Sequence, residues 1–237
     1  MEKFFNFSIT TFRNSISSAL PYILVYSLTN IFISFFIQFP ELNEDLESSI
    51  SSFDENLFVY LLFIFLVRSI YDISILKLII CKIKKQKVIF NIVSMLQYLY
   101  KVVLIDVFWI FIPIALALLF FVISGSTMID YFFVLMPIFY FTTYFSKYLI
   151  IEQNQSIIES ILTSYYMISS NFINFIKLLS INLLMLFVIF YTIVLIGSFS
   201  QHLITVIINI QFYFLTIFNV YFYFSLKSFD NEGDESE

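Results

Sequence analysis

Apolar residues fill this chain in long blocks, and polar residues gather in short clusters between them. The last block is the clearest. From Leu178 to Leu226 no charged side chain occurs. A hydrocarbon layer about 30 Å thick needs about 20 apolar residues per helical crossing. The block holds two such crossings, broken by the polar knot Gly197-Ser198-Phe199-Ser200-Gln201-His202. Read the same way, the whole chain predicts six spans, at 17–39, 57–80, 102–123, 131–151, 178–199 and 203–226. The expected fold is all-α: a polytopic integral membrane protein whose six transmembrane helices form three hairpins. A single membrane domain covers 1–229, and 230–237 is a short acidic tail, expected to be disordered.

Each hairpin is preceded by a candidate amphipathic lead-in helix, at 4–14, 88–101 and 156–176. The third is the most regular. Ser156, Glu159, Ser160, Thr163 and Ser164 recur at helical spacing against Ile157, Ile158, Ile161, Leu162, Tyr165 and Tyr166. Such a helix lies in the interface, with Thr163 in water and Ile161 at shallow acyl depth. Two roles are open to these helices: plain connectors, or a cytoplasmic collar that shifts to gate an opening.

Charge placement sets the orientation. Lys3 and Arg13 precede the first span, and Lys82, Lys84, Lys85, Lys87 and Lys101 separate the second from the third. Lys147 and Lys177 bracket the loop after the fourth, and Lys227 follows the sixth. The alternate loops contain no Lys or Arg, and the first of them carries Glu41, Glu44, Asp45, Glu47, Asp54 and Glu55. The positive-inside rule therefore predicts both termini in the cytoplasm. The first span follows a basic segment but is longer than a signal-peptide core and lacks an Ala-x-Ala-like site, so it is expected to stay uncleaved. The Lys82–Lys87 cluster is expected to touch anionic lipid of the cytoplasmic leaflet rather than nucleic acid.

Composition sharpens this reading. The chain is 60% hydrophobic and 12% charged, against about 25% charged in soluble domains. Its 33 Phe residues read as lipid-facing bulk from an AT-rich genome rather than as an aromatic binding site. Cys81 is the single cysteine, with no disulfide partner and no metal-ligand spacing around it.

A resemblance rests on the third lead-in. Ile158-Glu159-Ser160-Ile161, Ser164-Tyr165 and Ser170-Asn171-Phe172, followed by an apolar span, form a pattern similar to one in small six-helix bacterial membrane proteins. These resemble the membrane domain of glycerophosphoryl diester phosphodiesterases. There the pattern reads as a small residue, a Ser-aromatic pair, then Gly-Asn-Phe. Here Tyr165 stands where Trp is usual and Ser170 where Gly is usual. The resemblance implies a fold and a membrane location, not an activity. No segment of this chain is long or polar enough to form the phosphodiesterase barrel.

Charges inside a span are the one place where chemistry is expected. The second span contains Arg68, Asp72 and Lys77. Arg68 and Asp72 are four residues apart, hence on one helical face. Arg68 falls near the expected midplane, where a charge costs about 3 kcal/mol on insertion scales. Pairing with Asp72 and a place inside the bundle are therefore expected, with Asp106 of the third span as a second acid. Such an intramembrane polar cluster is either an ion, proton or substrate-anion site, or a structural pair fixing spans two and three. Lys77 is expected to snorkel to the interface. Pro21, Pro113 and Pro137 lie within spans and are candidate kinks.

Enzyme templates do not fit. His202 is the single histidine, which removes paired-histidine zinc sites and triads. No Gly-x-Ser-x-Gly and no phosphate-binding glycine loop occurs. No catalytic residue, metal site or cofactor is expected. The leading reading is a non-enzymatic, transport-associated or membrane-organising component, working as a homo-oligomer or with partner membrane subunits. The alternative is a transporter or channel using Arg68, Asp72 and Asp106. A lipid-related membrane enzyme stands third.

Overall fold

The computed structural model describes residues 2–36, 55–88, 92–124, 135, 138–196 and 201–233. Seven helices are named: α1 (Glu2–Phe36), α2 (Glu55–Ile83), α3 (Ile92–Ser124), α4 (Ser146–Gln153), α5 (Ile157–Ser170), α6 (Phe172–Ile196) and α7 (Gln201–Gly233). A helical stretch over 138–143 and a turn at 144–145 lead into α4. No strand occurs among the described residues.

Four helices are long and apolar enough to cross a membrane, over Asn6–Phe32, Val93–Phe120, Phe172–Val194 and Ile204–Lys227. The described parts of the predicted spans 17–39, 102–123, 178–199 and 203–226 fall on these helices. The second predicted span lies on α2, whose 29 residues include the charges that set it apart from the other four. Of the fourth, 131–134, 136 and 137, with Pro137, lie outside the described residues. The rest is not one continuous helix: a turn at 144–145 separates the helical stretch over 138–143 from α4.

Two of the lead-ins are not separate elements. Residues 4–14 continue into α1 without a break, and 92–101 form the first turns of α3. Neither junction carries a glycine or proline to stop a helix, and Ser15 at the first donates back to Thr11 O within the helix instead of capping a new one. Only the third lead-in is distinct. It ends at Ser170, six residues before its predicted end, because Asn171 leaves helical geometry (φ −122°, ψ 34°) and a new helix starts at Phe172. The helix α7 also runs to Gly233, so the first residues of the acidic tail are helical rather than disordered, and His202 lies in its first turn.

The helices pack around α2, which touches α1, α3, α4 and α7. Its C-terminal half is mostly covered: Ile73, Ile75, Leu76, Leu78, Ile79 and Ile80 are all buried. The first and last helices are antiparallel neighbours. Phe7 meets Tyr221, Phe12 meets Phe214, and Asn209 Nδ2 donates to Ser27 Oγ at 2.8 Å, so partners move back along α7 as α1 advances. Tyr213 adds a buried hydrogen bond to Ser15 Oγ at 2.6 Å. These polar contacts recur where small residues let helices approach, as in membrane bundles.

The outer surface is apolar. On α6, Leu184, Phe187, Phe190, Tyr191 and Val194 are each more than 60% exposed. A contiguous patch of this kind is foreign to a water-facing monomer and suits a hydrocarbon solvent.

The segment α4–α5 is built from local rules. Asn154 caps α4 in the left-handed region (φ 55°, ψ 31°) that Asn tolerates, and its N–H donates to Ile150 O. Lys101 of α3 reaches the same end, donating to Asn154 O (3.1 Å), Asn154 Oδ1 (3.0 Å) and Gln155 O (2.9 Å). Ser156 and Glu159 then form a capping box that starts α5. The polar stripe of α5 does not simply face water. Ser160 and Ser164 are fully buried against α4, where Ser164 Oγ accepts from the Phe145 N–H at 3.0 Å and Ser146 Oγ donates to Ser160 O at 3.3 Å. Of the apolar residues, Ile158, Leu162, Tyr165 and Tyr166 turn outward, with Ile158 at 74% exposure, whereas Met167 and Ile168 are buried.

Candidate functional site

The two intramembrane aspartates predicted from the sequence come together, but their shared partner is a lysine from elsewhere. Asp72 of α2 and Asp106 of α3 flank Lys147, at the start of α4. Lys147 Nζ lies 2.9 Å from Asp72 Oδ2 and 2.8 Å from Asp106 Oδ1. Ser69, one turn before Asp72, donates from Oγ to Asp106 Oδ2 at 3.4 Å. The three charged side chains are 17–26% exposed. They are therefore shielded enough for mutual attraction to exceed that of a surface pair, yet not sealed in a dry core.

The triad forms one wall of a cavity of about 330 Å³ among α2, α3, α4, α7 and the 138–143 stretch. Arg68 lines the same cavity but is exposed and makes no ion pair with Asp72 among the described residues. The predicted Arg68–Asp72 pair is thus replaced by Asp72–Lys147. The geometric reason is that Lys147 approaches from a third helix and reaches both carboxylates at once.

Aromatic and amide groups complete the wall. Tyr71 stacks on Tyr26 of α1, with ring centroids 4.2 Å apart and planes at 13°. Tyr144 accepts at its hydroxyl from Asn182 Nδ2 of α6 at 2.6 Å. Asn219 of α7 also lines the cavity. The Tyr71 hydroxyl and Asn219 Oδ1 are buried without a hydrogen-bond partner among the described residues.

No family model, curated protein or solved structure matches this chain. The arrangement of charges must therefore be read on its own terms. Lys147 and its two aspartates carry one net negative charge, and Arg68 brings the formal charge of the cavity wall to zero. Such a wall can hold polar solutes or ions.

A second polar cluster sits just past the fourth predicted span. Glu152, at the end of α4, receives Lys84 at 2.7 Å and Lys227 at 3.0 Å, and accepts a hydrogen bond from the Tyr223 hydroxyl. Its side chain is 2% exposed. Burial pushes its carboxyl up, but hydrogen bonds from Lys84, Tyr223 and Lys227 more than offset this and hold it below the usual carboxylate range. The cluster ties α2, α4 and α7 together where the basic residues gather.

Sequence reasoning read Lys147 only as a topology marker and did not single out Glu152. A signal for Lys147 was present: it is the sole charge between Asp130 and Glu152. Glu152 offered a weaker one, an acid among the basic residues of one side. Lys77, expected to snorkel, lies over the Tyr98 ring of α3 at 5.5 Å.

Proposed function

We propose that this chain is a non-enzymatic, multi-pass protein of the bacterial cytoplasmic membrane, and that the cavity beside the Asp72–Lys147–Asp106 triad is the solute site of a transport-associated component. Six spans and two cytoplasmic termini are part of this reading. The antiparallel pairing of α1 with α7 supports it by bringing the two terminal helix ends together, and the one-sided distribution of Lys and Arg supports the orientation. The similarity of the Ser164-Tyr165 and Asn171-Phe172 pattern to small six-helix bacterial membrane proteins fits the same architecture.

The observation that carries the solute site is the triad in a cavity wall. An ion pair kept only to hold helices together gains little over packed apolar residues, because both charges must be desolvated. Charges that border open volume, beside buried polar groups without partners, suit a site that a polar molecule enters. Intramembrane ionisable residues commonly mark such pathways.

The test is access to the cavity. With Cys81 replaced by Ser, single cysteines at Thr216 in the wall, at Ile217 in the core and at Gln86 in the basic loop are exposed to a charged, membrane-impermeant thiol reagent. Both faces of the vesicle are tried. Labelling of Thr216Cys from either face, with Ile217Cys silent, is the expected result. If Thr216Cys is as silent as Ile217Cys while Gln86Cys reacts, the bundle is closed and the triad is a structural lock.

A further inference from the structure

The cavity's charges cancel in sum but are unevenly satisfied. The two aspartates share Lys147, whereas Arg68 makes no hydrogen bond or ion pair among the described residues. A guanidinium only donates, so its natural complement is an anion. On the other wall the unmet need is opposite. Asn219 is 8% exposed and its Oδ1 has no partner among the described residues. An amide oxygen only accepts, so its complement brings an N–H or O–H. Each aspartate offers about four lone-pair sites, and the contacts to Lys147 and Ser69 leave most of them open.

We infer that the cavity binds a small zwitterion, with a primary ammonium toward Asp72, Asp106 and Asn219 and a carboxylate or phosphate on Arg68. This rests on reading the cavity as a solute site. Charge balance favours a zwitterion over a single ion. The wall is formally neutral, and an extra cation or anion would bring an uncompensated charge into a partly shielded place. A ligand that carries both signs leaves the sum unchanged while satisfying both walls. Size sets a further limit. About 330 Å³ lies at the low end of the range of about 300–1,000 Å³ for small-molecule sites, so it suits a headgroup or a free amino acid rather than an acyl chain. The ammonium also has to donate hydrogen bonds, which excludes a quaternary amine.

The full chain, purified in detergent, is melted with five probes: glycerophosphoethanolamine, L-alanine, glycerophosphocholine, ethanolamine and inorganic phosphate. At least one of the first two is expected to raise Tm saturably, by about 5 °C at 100 times its dissociation constant. The other three are expected to leave Tm in place. A response to glycerophosphoethanolamine alone assigns the site to an aminophospholipid headgroup, and a response to L-alanine alone assigns it to a free amino acid. Arg68→Gln, at an exposed position that spares the fold, is expected to weaken the response at least about tenfold. Arg68→Lys is expected to keep part of it. The inference is overturned if neither zwitterion shifts Tm, if ethanolamine or phosphate alone acts as strongly as the whole zwitterion, or if Arg68→Gln binds like wild type. In those cases a Thr216Cys that still labels leaves the solute-site reading standing, and the two failures are told apart.

Discussion

Lys147 shows how one side chain can decide the state of two others. It compensates Asp72 and Asp106 together, so its removal strands two carboxylates at once. Lys147→Met is expected to destabilise the protein by about 3 kcal/mol, the cost of breaking a shielded ion pair from one side. The triple variant Lys147→Met, Asp72→Asn, Asp106→Asn should recover most of the loss in a detergent melt. Failure of that recovery would mean that Lys147 contributes by packing, not by charge. Glu152 makes the matching case for pH. Its folded pKa is lowered from an ordinary value of 4.5. The stability it adds is therefore fully present above about pH 4.5 and is lost as pH falls through the lowered folded value. A melt series from neutral to acid pH should show Tm falling below pH 4.5 in the wild type. The fall should be shallower in Glu152→Gln, which already lacks the charge. Equal slopes for the two proteins would remove Glu152 from the account of acid sensitivity.

At the scale of elements, α5 is the one lead-in that stands as a helix of its own, and its burial pattern explains how it is held. The spacing Ser160-x-x-x-Ser164 places two small residues on one stripe, which allows close approach to α4. Ser164 also satisfies the Phe145 N–H at the turn before α4. Ser164→Ala should leave that buried donor unpaired and cost about 1–3 kcal/mol. Ser164→Leu should cost at least as much, through overpacking. Ser169→Leu on the exposed side should be close to neutral, and the three melts together check the assignment. An outcome with Ser164→Ala at wild-type stability would show that the stripe faces solvent after all, as its polarity alone suggests.

For the whole molecule, the packing of α1 against α7 brings both ends of the described chain to one end of the bundle. On the proposed orientation that end is cytoplasmic. Cysteines at Ser48 and Gln86, in a background without Cys81, should then react from opposite faces of the membrane. Reaction of both from the periplasmic face would reverse or break the six-span reading. The Glu152 cluster lies at the same end as Lys84 and Lys227 and links the second, fourth and last helices there. It closes the bundle on the basic side, while the neutral, partly open cavity lies further in.

The all-helical class and the long apolar helices were legible in the chain, because hydrocarbon burial acts on residues one at a time and leaves a record in composition and run length. So were Asp72 and Asp106 as unusual charges, since any acid within an apolar run stands out before a contact is known. What could not be read was which cation meets them. Arg68 is near Asp72 in sequence, and helical spacing alone favours that pair, yet Lys147 is brought to both acids only when α4 docks against α2 and α3. The inward turn of Ser160 and Ser164 has the same origin. A polar stripe reads identically whether it faces water or a close-packed helix, and only the neighbouring helix decides. Local periodicity thus determined the elements and their apolar surfaces. The pairing of charges, the buried serines and the cavity belong to the tertiary structure, because each depends on side chains distant in sequence that meet only when the helices pack.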